Sequence, residues 1–133
     1  MESVLEISTM KGFAALTTIL IILAISLILG LAISLLSINE MIMGLRKNFS
    51  SRAYYLTNLC AEHALMKLKE GINYQGDETI EIDGGNCRIL AIEGNWIVKT
   101  TGNYQNQVKK MKIVINQINP QMVIQSWEEV ADF

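Results

Sequence analysis

Cysteine and histidine are the side chains best able to bind a metal or attack a carbonyl, and this chain of 133 residues holds 2 of the first and 1 of the second: Cys60, Cys87 and His63. Cys60 and His63 stand three apart, a spacing that brings two side chains to one face of a helix. With Cys87 they would supply three zinc ligands, but a structural zinc site is four-coordinate and no fourth ligand is evident. A Cys–His nucleophile needs a third group to orient the base and a pocket for the substrate, and neither stands out. His63 therefore reads as a structural histidine. The cysteines keep two readings, a disulfide or two small buried apolar side chains. The chain contains no phosphate-cradling glycine loop, nucleophile elbow, HExxH or CxxC. The expectation is a protein that is not an enzyme and carries neither cofactor nor metal.

The charged residues point no more strongly to a substrate. With 11 basic against 13 acidic residues, nucleic acid is not expected as a main partner. Lys109, Lys110 and Lys112 lack interleaved aromatics and read as a solvated strand face that discourages edge pairing. Arg46, Lys47 and Arg52 come after the longest apolar run; such residues meet lipid head groups or water, or in an assembly pair with Glu40 or Glu62 of a neighbour. Asn48-Phe49-Ser50 matches a glycosylation acceptor but falls where a helix is expected, and is read as accidental.

What must position these residues is a chain of two unlike halves. Phe13 to Ile38 has no charge and no proline, whereas the chain after Asn39 is polar and rich in Asn and Gln. Roughly 26 residues at a rise of about 1.5 Å make a helix of about 39 Å, more than the ~30 Å of a hydrocarbon core. A cleavable signal has an apolar region of only about 7–15 residues, and Ala32-Ile33-Ser34 is a weak cleavage match. A transmembrane helix is the expectation. Orientation divides the signals: Lys11 against Arg46, Lys47 and Arg52 favours a cytoplasmic C-terminal part, whereas paired cysteines favour an oxidising exterior. Ala14, Thr18, Ser26, Gly30 and Ser34 lie on one i, i+4 row, interrupted by Ile22. Such a row either allows close helix packing in lipid or reflects the ordinary use of small residues there.

The residues at the start of this run carry a resemblance. A short polar leader ending in Lys11-Gly12, then Phe13 and over twenty apolar residues, resembles the type III prepilin signal of type IV pilins and pseudopilins. The resemblance implies cutting by a prepilin peptidase between Gly12 and Phe13, methylation of the new N-terminus, and a helix that anchors in lipid first and bundles with other pilin subunits afterwards. Major pilins carry Glu at the fifth position after the cut, where this chain has Thr17. That carboxylate would neutralise a neighbour's terminal amine, an ammonium costly to leave unpaired in an apolar bundle. Its absence, with Gly12-Phe13-Ala14-Ala15-Leu16, resembles the PilX-like and GspK-like minor members. The alternative is that Thr17 is simply a small helix residue of an unrelated anchor.

Beyond the apolar run, Ile38, Ile42, Leu45, Phe49, Ala53, Leu56, Cys60, Ala64 and Leu68 recur at helical spacing and predict one amphipathic stripe. Gly71 after Glu70 suits a helix stop. With Pro120 the only proline, a bend would have to fall at Gly30, Gly44 or Ser50-Ser51. Strands are expected at "ETIEID", "CRILAI", "WIVKTTG" and "VKKMKIVINQI", with a turn at Gly84-Gly85 and another at Glu93-Gly94-Asn95. The segment after Pro120 reads as a tail in which Met122, Ile124 and Trp127 pack back on the sheet and the acidic end is exposed. If the sheet covers the helix stripe, a Cys60–Cys87 disulfide would close a loop of about 27 residues and stabilise by roughly 3–4 kcal/mol.

The expected fold is α+β: a long N-terminal helix packed against a four-stranded antiparallel meander. Residues 1–12 form the leader, 13–38 the transmembrane or filament-core helix, 39–71 the amphipathic half, and 72–133 the β domain with its tail. The functional expectation is a minor pilin-like subunit of a type IV pilus or type II secretion pseudopilus, held in the inner membrane with its C-terminal domain outside, then in a periplasmic or extracellular filament. Its rivals are an unprocessed single-pass protein presenting a partner-binding β domain, and an adhesin or DNA-uptake subunit.

Overall fold

The computed structural model describes residues 2–133, and the side chains of all of these except positions 5, 7, 8 and 9. Met1, the first residue of the expected leader, lies outside the described residues. The elements run α1 (Glu2–Glu70), β1 (Glu78–Ile82), β2 (Gly85–Ile89), β3 (Ile97–Tyr104), β4 (Gln107–Gln117) and β5 (Val123–Val130). The chain divides into two units, one ending at Met43 and the other spanning Gly44–Phe133.

The first unit is helix alone. α1 begins at Glu2 rather than Phe13 and continues through Gly30, Gly44 and Ser50-Ser51 without a break. Every apolar side chain from Met10 to Met43 is exposed. Burial is absent because nothing in the unit can cover a helix that is apolar all round; such a surface suits lipid or a partner helix.

In the second unit the helical stripe meets the sheet from Phe49 onward, where the Phe49 ring lies 5.8 Å from that of Tyr104. Ala53, Thr57, Cys60, Ala61, Ala64, Leu65 and Leu68 are buried, while Ile42 and Leu45, placed on the same stripe by sequence, are exposed. Small side chains at most of these positions let the helix lie close to the strands. Lys67 and Lys69 complement the dipole of the last turn, and the Gly71 amide donates to the Lys67 carbonyl at 2.9 Å.

The sheet is antiparallel in the order β1-β2-β3-β4-β5 and has five strands, not four. The segment read as a tail is β5, paired along β4 from Gln117↔Val123 to Lys110↔Val130. Its alternation is hidden in the sequence because the register shifts at Val114/Ile115 and again at Ile115/Gln117, so the apolar neighbours Val123 and Ile124 do not keep a period of two. This strand also revises the lysines. β4 is not an edge, and Lys109 pairs with Glu129 at 2.6 Å and Lys110 with Asp132 at 2.5 Å. The acidic end is thus a charge partner, and hydrogen bonding from Lys110 holds the Asp132 carboxyl below its ordinary range.

Cys87 and Ile89 of β2, Val98 and Thr100 of β3, and Met111, Ile113 and Ile115 of β4 form the face against α1. The β1–β2 turn falls at Asp83-Gly84, one residue earlier than expected. With Ile82 paired to Gly85, the two loop residues have φ of 49° and 77°, the left-handed pair that a type I′ turn requires. Gln105-Asn106 closes β3–β4 in the same way, at 47° and 62°.

Candidate functional site

Gly12 and Phe13 lie within α1, and Phe13 is exposed. Nothing approaches the position where a Cβ at Gly12 would stand. Thr17 comes one turn later, and its hydroxyl donates to the Phe13 carbonyl at 3.2 Å and the Ala14 carbonyl at 2.9 Å. Thr18 donates to Ala14 and Ala15, Ser26 to Ile22 and Ser34 to Gly30. Each of these hydroxyls on the apolar run is therefore satisfied by its own helix. What Ala14, Thr17, Thr18, Ser26, Gly30 and Ser34 offer a neighbour is small size and close approach, not unmade hydrogen bonds.

Cys60 and Cys87 form a disulfide with a Cα–Cα distance of 6.1 Å, and both are fully buried. It ties α1 to β2 across the core. Neither sulfur is a thiolate free for metal or for nucleophilic attack. Among the described residues no group of three or more His, Cys, Asp or Glu side chains is arranged to hold a metal ion. His63 instead faces β1: its Nε2 lies 3.6 Å from a Glu78 carboxylate oxygen, beyond hydrogen-bonding range, and is buried without a hydrogen-bond partner. The same Glu78 oxygen accepts from the Tyr74 hydroxyl at 2.8 Å. Burial, then the hydrogen bond and charge of Glu78, push the Tyr74 hydroxyl well above the ordinary tyrosine range.

Two features of the helix–sheet seam escape sequence reasoning. Thr57, fully buried, donates to the Ala53 carbonyl at 2.7 Å and to the Lys109 carbonyl at 3.2 Å, and its own carbonyl accepts from Thr100 at 3.2 Å. Gly102 makes room for this: a Cβ there would overlap the Thr57 hydroxyl and the Ala53 carbonyl. A glycine inside a strand is the available signal for such an approach. The second feature is Arg52, which donates to the Tyr104 hydroxyl at 3.0 Å and lies 5.2 Å from the centre of its ring. Of the three basic residues after the apolar run, Arg52 thus has a partner within the sheet. No ion pair or hydrogen bond engages Arg46 or Lys47 among the described residues.

The Thr57 hydrogen bonds and the Cys60–Cys87 disulfide together tie α1 to the sheet. Compared with known protein families, curated proteins and solved structures, the chain matches none.

Proposed function

We propose that this chain is a minor pilin-like subunit of a type IV pilus or type II secretion pseudopilus, without enzymatic activity. A prepilin peptidase cuts it between Gly12 and Phe13, its apolar helix stores it in the inner membrane, and the same helix then joins those of other pilin subunits. The observation that carries this reading is the run from Phe13 to Ile38: uncharged, exposed throughout its apolar side chains, and with the hydroxyls of Thr17, Thr18, Ser26 and Ser34 bonded to its own backbone. Such a rod is stable only in lipid or against other apolar helices. The Cys60–Cys87 disulfide fits a domain on the oxidising side of the membrane. Thr17 in place of an acid suits a subunit that does not pair with a neighbour's terminal amine. Mass spectrometry of protein purified from its native membrane tests the proposal. The expected species begins at an N-methylated Phe13 and carries the mass of one internal disulfide. A species that retains residues 1–12 overturns it.

One observation favours a second reading, an unprocessed single-pass protein that presents the β domain to a partner. α1 runs unbroken from Glu2 through the Gly12–Phe13 bond, and a peptidase needs that bond in extended form. The same measurement separates the two.

A further inference from the structure

The sheet carries a cleft of about 450 Å³ where the Gly94–Trp96 turn meets the end of β4 and the start of β5. That volume lies within the ~300–1,000 Å³ of ordinary small-molecule sites. Asn95, Trp96, Ile97, Val114, Asn116 and Gln125 line it, and no ionisable side chain does. Asn95, Asn116 and Gln125 are exposed, and none of the three carboxamides makes a hydrogen bond within the described chain. Each offers two N–H donors and a carbonyl acceptor. The lining therefore combines an aromatic residue, aliphatic side chains and several neutral donor–acceptor groups not engaged by other described residues.

Trp96 is held there at a conformational disadvantage. Its φ is 52°, left-handed for a bulky aromatic residue. Gly94 and Asn95, types that adopt this conformation easily, stand beside it and do not take that role. The twist brings the Trp96 carbonyl to 3.2 Å from the Ile115 amide, and Trp96 is partly buried against the core while it lines the cleft. Strained residues of this kind cluster at ligand sites.

We propose that this cleft binds a neutral saccharide. A sugar ring has one face of C–H bonds, which packs on an indole and aliphatic side chains, and a rim of hydroxyls that both donate and accept. Carboxamides match that rim without charge, and the missing ionisable groups disfavour acidic or basic ligands, whose desolvation nothing here would offset. An extended peptide would be held by main-chain hydrogen bonds along one free strand edge, whereas this lining crosses the ends of three neighbouring strands. A processed subunit and an unprocessed anchor would both carry the cleft.

Saturation-transfer NMR on the full chain in lipid nanodiscs tests this, with chitotriose and maltotriose as neutral probes and sialyllactose and an uncharged alanine–glycine peptide beside them. The expected result is transfer to ring protons of at least one neutral trisaccharide. Combining Asn116→Ala with Gln125→Ala, both exposed positions, weakens its binding about tenfold with unfolding unchanged. Asn95→Asp, which sets a charge in the cleft, weakens it independently should the double variant fail to fold. No transfer to either neutral sugar, equal binding by the variants, or signal confined to sialyllactose or the peptide overturns the proposal.

Discussion

Thr57 is a polar residue in the middle of an apolar seam, and its hydroxyl and carbonyl both have partners across it. A buried hydroxyl left unmatched is costly, so the seam depends on strand and helix approaching closely, and Gly102 permits that approach. Gly102→Ala inserts a methyl group against a carbonyl that belongs to helix backbone and cannot swing away. The expected loss of domain stability is about 1–3 kcal/mol, read from the urea midpoint of tryptophan fluorescence. Adding Thr57→Ala removes the hydroxyl among the three close atoms and is expected to recover part of the loss beyond additivity. Tyr74 gives a pH-dependent counterpart. Its hydroxyl titrates above the ordinary value of 10.0 in the folded chain because burial and Glu78 disfavour the phenolate. Below that value both folded and unfolded chains keep the proton, and Tyr74 contributes its full stabilisation. As pH rises further, the unfolded chain ionises first and the contribution is lost. Tyr74→Phe is therefore expected to be less stable than the parent at pH 8, with the gap narrowing at pH 11. A gap that stays constant would remove the folded-state shift from the account.

At the scale of elements, the two faces of β4 are unequal. Ile113 is fully buried against α1, whereas Val108 is more than half exposed. Ile113→Ala is expected to cost about 2–5 kcal/mol, and Val108→Ala less than about 0.5 kcal/mol, in the same fluorescence assay. Equal effects would mean that the helix does not cover this face. The face was legible in the sequence, since Met111, Ile113 and Ile115 alternate cleanly with Lys110 and Lys112 and the cysteines fall on facing elements. β5 was not, and its concealment has two causes. The bulges at Ile115 shift its register, and its charged residues look solvated until Lys109 and Lys110 are seen beside them. The upper part of the stripe was over-read for a related reason: Ile42 and Leu45 share the helical period of Cys60 and Leu68, but periodicity does not say where the covering sheet ends. The Asn95–Gln125 cleft left no trace in the sequence, because its residues come from a turn and two strand ends whose pairing depends on that same bulged register. A tryptophan with positive φ next to a glycine and an asparagine is likewise invisible to residue preferences, which would have assigned the twist to its neighbours.

For the molecule as a whole, the two units differ in what they need from their surroundings. Residues Gly44–Phe133 contain the entire buried core, the five strands and both cysteines. The helix before them buries none of its most apolar window, and that window is long enough to cross a membrane. Separated from it, a fragment beginning at Gly44 is expected to stay soluble without detergent, to form the Cys60–Cys87 bond in an oxidising host compartment, and to unfold cooperatively. The full chain is expected to require lipid or detergent. The fragment also allows the crosslink to be weighed: replacing both cysteines with alanine should lower its unfolding free energy by roughly 3–4 kcal/mol if the loop-closure account holds, a large fraction of the about 5–15 kcal/mol typical of a domain. Aggregation of the oxidised fragment would mean that its exposed helix residues, among them Tyr55, Leu59 and Met66, need the rest of the chain or a partner to cover them. A fragment that folds equally well without the disulfide would move the source of its stability to the helix–sheet seam around Thr57 and Gly102.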